Sequence, residues 1–162
     1  VDIEPPGRPP SPLGDPRTDD AALGLLLATA HDAARTALNL ELRPLGIETR
    51  HFGVLATLAR NGPTSQRRLG ALLDLDKSAV VRIMDELERL GLAVRNRAAH
   101  DRRAYAIELT DEGRRHAHAS QRAAGAVGAR LFGWLAPDER TRLVTLLTGI
   151  VDHAPGDDRA PR

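Results

Sequence analysis

The stretch LGALLDLDKSAVVRIMDELERLGLAVRNRAAHDRRAYAIELTDEGRR, residues 69–115, reads as two short helices, a tight link and a hairpin in immediate succession. The second helix carries the clearest pattern. Val80, Ile83, Met84, Leu87 and Leu90 recur at helical spacing, so one face is core over residues 77–90. Asp76 is its expected N-cap, and Gly91 its C′ residue, where glycine tolerates a left-handed backbone. The preceding helix is expected over residues 65–73, capped by Thr64, with Leu69, Leu72 and Leu73 turned inward. Asp74-Leu75-Asp76 links the two. After Gly91 come two strands, expected over residues 93–97 and 104–109. In the second, Tyr105, Ile107 and Leu109 alternate with Ala104, Ala106 and Glu108, the period of a half-buried strand. This order is that of a helix-turn-helix followed by a wing.

The core face of the second helix leaves Lys77, Ser78, Val81, Arg82 and Asp85 pointing outward, mostly on its N-terminal half. A recognition helix enters the major groove by that end. Lys77 and Ser78 sit where free amides and the helix dipole favour a phosphate. Arg82 suits a bidentate contact to guanine, worth about 1–3 kcal/mol of discrimination. Val81 can pack on a thymine methyl. In the wing, Arg95, Arg97, Arg102 and Arg103 outweigh Asp101, which fits a narrow minor groove, and Asp101 can preset Arg103 by a bidentate pair. Against these stands the plainer reading of a solvated basic hairpin and ordinary helix surface.

The flanks are helical. Leu23, Leu27, Ala30, Ala34 and Leu38 mark a first helix over residues 20–43, started by Asp19 and Asp20 and stopped by Pro44 and Gly46. Phe52, Leu55, Ala56 and Ala59 mark a second over residues 49–60. Thr110 caps a long fifth helix reaching Phe132. Its centre is rich in alanine and glycine, which suits close approach of another helix, with plain helix propensity as the alternative. Pro137 opens a sixth, striped by Leu143, Leu146, Leu147 and Ile150. Residues 1–18 hold six of the eleven prolines and read as a disordered arm, and residues 154–162 as a frayed tail.

Composition narrows the function. There is no cysteine, which removes disulfides, thiolate metal sites and thiol nucleophiles. A net charge of +1 requires any nucleic-acid surface to be local. Aromatic residues at 2% are too few for single-strand stacking. No apolar run is long enough to span a membrane and no signal peptide is visible, which points to the cytoplasm. Glycine-rich phosphate loops, nucleophile elbows and metal-ligand clusters are absent from the sequence, so no enzyme, metal or cofactor is expected.

Residues 69–115 resemble the central segment of the MarR family of bacterial regulators. The most specific pieces are Leu87-Glu88-Arg89-Leu90-Gly91-Leu92, the wing motif Asp101-Arg102-Arg103, and Leu109-Thr110-Asp111-Glu112-Gly113. His51-Phe52-Gly53-Val54-Leu55 also matches, and the likeness spans about residues 20–152. It implies a mainly α fold of six helices with a two- or three-stranded β wing. A winged helix-turn-helix, residues 49–109, would be inserted between dimerisation helices at residues 19–48 and 110–153. The partners implied are a second copy of the chain, a palindromic double-stranded operator, and a small effector, often an aromatic acid, held between the two regions. Three positions depart from the family's habit. Ala79 and Val81 stand where hydroxyl residues are common, and Asp74 where glycine is common, although aspartate tolerates positive φ. The absence of cysteine removes the peroxide-sensing branch.

Four residues are candidates for the effector pocket. His31 and Arg35 lie one turn apart on the first helix, and His51 and Phe52 lie early on the second. Arg35 would pair a ligand carboxylate; the alternative is a structural ion pair or a solvated arginine. The functional expectation is a repressor whose two reading heads, about 34–36 Å apart on DNA, are respaced by the ligand. A ligand-independent regulator and a winged-helix protein-interaction module are the alternatives.

Overall fold

The computed structural model describes residues 14–98 and 101–153, and of residues 98 and 101–104 the backbone alone. The elements, in order, are α1 (Asp20–Leu42), a 3-10 turn (Arg43–Leu45), α2 (Thr49–Asn61), β1 (Thr64–Ser65), α3 (Gln66–Leu73), α4 (Lys77–Arg89), β2 (Ala93–Ala98), β3 (Asp101–Leu109), α5 (Asp111–Phe132) and α6 (Pro137–His153). The fold is mainly helical, with one small antiparallel sheet of order β1-β3-β2. Thr64 and Ser65 pair with Ile107 and Ala106, which makes the wing three-stranded.

The core is built around α4. Val80, Ile83, Met84 and Leu87 are all buried there with Val54, Leu55 and Leu58 of α2, Leu69 of α3 and Ile107 of β3. Burying each such side chain stabilises the fold by about 1.5–3 kcal/mol. Asp76 caps α4 as expected: its Oδ1 accepts from the Ala79 amide at 2.8 Å. The link into α4 turns through Asp74, which adopts φ 51 in the left-handed region. Gly70 lets that link come close, because a Cβ there would lie 2.9 Å from the Leu75 carbonyl oxygen.

Several expected boundaries and facings are corrected. The first helix ends at Leu42, since Arg43 already belongs to the 3-10 turn. Residue 61 still belongs to α2. Ser65, not Thr64, caps α3, its hydroxyl accepting from Arg68; Thr64 is drawn into β1 by pairing with β3. Leu90 is the C-cap of α4. Both wing strands run further toward the tip than their side-chain alternation suggested, with a register shift between Arg97 and Ala98. Leu72 is 50% exposed and Tyr105 53% exposed, because the core ends before it reaches either. Residues 14–18 form a turn in which Arg17 pairs with Asp15. The rest of the proline-rich arm and the tail lie outside the described residues.

The junction between wing and α5 explains two glycines in the sequence. The Thr110 hydroxyl donates to the Gly91 carbonyl at 2.7 Å and accepts from the Gly113 amide at 2.9 Å. The Thr110 amide donates to the Leu92 carbonyl. Gly91 has φ 70. Gly113 packs so tightly that a Cβ would stand 1.8 Å from the Leu92 oxygen. Gly113→Ala is therefore expected to force α5 away from the β2 entrance and to destabilise the protein by about 1–3 kcal/mol. Urea unfolding followed by circular dichroism measures this, and Gly24→Ala on open α1 surface serves as the control.

Candidate nucleic-acid interface and the cleft behind it

With the inner face of α4 buried, Lys77, Ser78, Arg82 and Asp85 are exposed and Val81 is half-buried. Lys77 and Arg82 make no ion pair among the described residues. Ser78 is already engaged, its hydroxyl donating to Asp76 Oδ1 at 2.6 Å. That bond, first, and the Ala79 amide hold the Asp76 carboxyl below the usual carboxylate range. Ser78 thus secures the cap and is less free for a phosphate than its position suggested.

The wing arginines separate into two kinds. Arg95 is tied inward. Its guanidinium pairs with Glu88 and, at 2.8 Å, with Asp85, and its backbone amide donates to Glu88 at 3.0 Å. It clamps β2 to α4 and drops out of the positive tally. Arg97 is exposed and unpaired among the described residues. Asp101, Arg102 and Arg103 belong to β3 by their backbone. The expected Asp101–Arg103 pair lies outside the described side chains.

Two basic residues were missed in the sequence. Arg67 and Arg68 are exposed on the first turn of α3 and, among the described residues, pair with no carboxylate. The first helix of such a motif crosses the phosphate backbone. The signal was available: two adjacent arginines just after a helix cap, with no acidic residue one turn away.

The four expected pocket residues are not brought together. His31 and Arg35 are exposed on α1, and Arg35 pairs with Asp32 at 3.4 Å. Phe52 packs against the core. His51 alone lines a cleft, an open space of about 750 Å³ between the C-terminal part of α1, the start of α2 and the end of α4. Arg43, Arg50 and Arg89 stand around it, with Leu40, Ile47 and Leu90 as apolar walls. These residues come from three separate stretches, and no local spacing connects them.

His51 is 5% exposed and uses both ring nitrogens. Nδ1 accepts from the Glu48 amide at 3.0 Å, and Nε2 lies 2.6 Å from Glu86 Oε2. Arg50 bridges Glu48 and Glu86 at 3.2 and 3.1 Å. The hydrogen bond from His51, more than the charge of Arg50, holds the Glu86 carboxyl below its ordinary range. On the other side, Asn39 Oδ1 accepts from the Thr49 amide and hydroxyl at 2.9 and 2.8 Å, fastening α1 to α2.

Large apolar side chains are exposed elsewhere. Leu23, Leu25, Leu26 and Leu27 lie open on α1; Val144, Leu146, Leu147, Ile150 and Val151 lie open on α6, and Trp134 is 76% exposed. No residue of α6 is buried. No described helix is long and apolar enough to cross a membrane.

Residues 45–104 match the sequence profile of the MarR family. YkoM of Bacillus subtilis, an HTH-type transcriptional regulator, is 33% identical over 102 residues, covering 63% of this chain and 66% of that protein. The chain spans between 50% and 66% of the length of the first curated relatives it matches. Among solved structures, a mutant MarR from E. coli complexed with operator DNA superposes with TM-score 0.74 at 26% identity, covering 80% of this chain and 94% of that one. CouR from Rhodococcus jostii RHA1, bound to p-coumaroyl-CoA, gives TM-score 0.74 at 29% identity, covering 87% and 96%. Residues 45–104 thus carry the MarR-family profile, and the chain has the fold of MarR-family winged-helix regulators.

Proposed function

We propose that the protein is a homodimeric repressor that reads a palindromic double-stranded operator with α4 and its wing, and that a small acidic ligand releases it. The observation that carries this reading is the pair of cations without an ion-pair partner among the described residues, Lys77 and Arg82, on the open side of a helix whose other side is core. Arg82 reads guanine, Val81 contributes an apolar edge, and Lys77 positions the backbone from a first turn that Ser78 helps to fix through Asp76. Arg97, with Arg102 and Arg103, takes the minor groove, and Asp101 orients Arg103. Arg67 and Arg68 add phosphate contacts. The similar MarR protein complexed with operator DNA supports a DNA partner.

In this reading residues 49–109 form the reading lobe, and residues 19–48 and 110–153 the dimer region. The open leucines of α1 and the unburied α6 support a partner chain, because an apolar surface of that extent is uncommon on a monomer. The cleft beside His51 takes the ligand. Arg43 and Arg89, which make no ion pair among the described residues, match a carboxylate, and the leucine and isoleucine walls match an apolar body. The similar CouR protein, bound to p-coumaroyl-CoA, supports an aromatic acid derivative as the ligand class.

Three outcomes are expected. Arg82→Ala lowers operator affinity by about 1–3 kcal/mol and barely changes binding to unrelated DNA, whereas Arg67→Ala or Arg68→Ala weakens both and lowers the salt slope by about one. Fluorescence anisotropy at several salt concentrations reads both effects; an unaltered Arg82→Ala protein would exclude base reading by α4. Leu146→Asp combined with Ile150→Asp converts a dimer into a monomer in sedimentation velocity, and a monomeric wild type would refute the dimer. In a thermal-shift screen, hydroxycinnamate-type acids at about 100 times their Kd raise the melting temperature by several degrees, and Arg89→Ala abolishes the shift.

A further inference from the structure

We propose that Arg95 is a positioning residue for base reading: from the wing it engages Asp85 on the outward face of α4, so that this carboxylate neither captures Arg82 nor repels the DNA backbone. The inference rests on the DNA-binding function proposed above.

Arg95 enters from β2 and forks over α4. Its Nη1 donates to Glu88, while Nη2 donates to Asp85 Oδ1 at 2.8 Å and reaches the Val81 carbonyl at 3.5 Å. The Arg95 amide also donates to Glu88 Oε1 at 3.0 Å, which fixes the root of the side chain. Glu88 thus takes two bonds from Arg95 and holds β2 on α4 without Asp85. The Arg95 side chain is 23% exposed, and that of Asp85 61% exposed. The second prong of the fork therefore reaches out of the junction and onto the reading face.

Arg82 sits three residues before Asp85, and side chains at that spacing are neighbours on a helix. Elsewhere in the chain arginines at this spacing do pair: Arg35 with Asp32, Arg114 with Asp111 and Arg115 with Glu112. Arg82 has a further carboxylate one turn ahead, Glu86, yet among the described residues it pairs with neither. Glu86 is held by His51 at 2.6 Å and by Arg50 at 3.1 Å. Asp76, the carboxylate on the other side of Arg82, is engaged by the Ser78 hydroxyl and the Ala79 amide. Asp85 is held by Arg95. Arg89, four residues after Asp85, stands with Glu86 at the cleft. Every carboxylate near Arg82 is thus taken by another group, and removing Arg95 leaves Asp85 to Arg82.

Two losses would follow. An exposed helical pair shifts a side-chain equilibrium by about a factor of two, so Arg82 would be drawn from the groove about half of the time. That loss falls on the sequence preference, because Arg82 is the base reader. The bare carboxylate would also face the phosphates, and this repulsion weakens binding to any duplex.

Arg95→Met is expected to weaken operator binding about fivefold and to lower the preference for operator over unrelated DNA about twofold. Adding Asp85→Asn to Arg95→Met regains most of both losses, and the same change in the wild type gains less. Glu108→Gln, which removes an equal charge from the other face of β3, regains nothing in Arg95→Met. A clamp that only attaches the wing would instead be weakened further by Asp85→Asn. Nitrogen-15 NMR of arginine side chains in the free protein is expected to show Arg82 Nε–H mobile in the wild type. It becomes partly ordered in Arg95→Met and mobile again once Asp85→Asn is added. Should Arg95→Met lose its helical signal in circular dichroism, Arg95→Lys, whose single ammonium cannot fork between Glu88 and Asp85, is read by the same rescue. Absence of rescue by Asp85→Asn, equal rescue by Glu108→Gln, or ordering of Arg89 in place of Arg82 overturns the inference. A wild type that binds no duplex overturns the proposed function itself, and the NMR measurement, which needs no DNA, still decides whether Arg95 keeps Asp85 from Arg82.

Discussion

The orientation of α4 is set by the burial of Val80, Ile83, Met84 and Leu87, and almost everything on the exposed side follows from it. Turning the helix by one residue would lift several of these side chains into water at about 1.5–3 kcal/mol each. It would also press a charged residue into the core, where an unpaired charge costs several kcal/mol more. The two penalties act in the same direction. Lys77 and Arg82 are therefore held outward by the core they avoid, and Asp76 fixes the first turn from which they project.

The arginines between α2 and the wing show how a chain of net charge +1 can still present a locally positive surface. Arg95 and Arg50 are spent on carboxylates of α4. Each of these contacts crosses between elements, so it positions one part of the lobe against another. By contrast, Arg114–Asp111 and Arg115–Glu112 are exposed pairs along α5 itself. They hold the Asp111 and Glu112 carboxyls below their ordinary range, chiefly through the hydrogen bonds from those arginines. Such surface pairs typically contribute about 0–1 kcal/mol and do not shape the fold. The arginines of this stretch that stay unpaired among the described residues lie at the end of α2, on α3, on α4 and along the wing.

The other half of the molecule has the opposite character. Helices in proteins draw most of their stability from packing an apolar face, and α6 buries none of its side chains within the chain. The first turns of α1 are in the same position, with four leucines open. Arg130 reaches Glu41 at 2.7 Å and fastens α5 to α1, but among the described residues no ion pair joins α6 to another element. The helix-turn-helix and wing therefore bury most of their apolar surface internally, whereas α1 and α6 leave much of theirs exposed within the chain.

Much of this was legible in the chain itself. Helical period and caps located six helices, because apolar spacing and Asp19, Asp76 and Thr110 act through local backbone chemistry. The outward set on α4 followed from the same local rules, and the left-handed turn at Asp74 from the resemblance to a family that commonly has glycine there. The misplaced details were those that neighbours decide. Thr64 became strand because β3 lies beside it, Leu72 and Tyr105 stayed open because the core stops short of them, and Arg95 lost its free charge to Glu88 and Asp85. The cleft was the least legible feature. Arg43, Arg50, His51 and Arg89 carry no shared spacing, and only the packing of α4 beneath the α1–α2 corner sets them side by side. Local periodicity determines which face of each element is apolar. Which polar groups then meet across elements depends on distances between segments far apart in the chain, and tertiary packing alone supplies those.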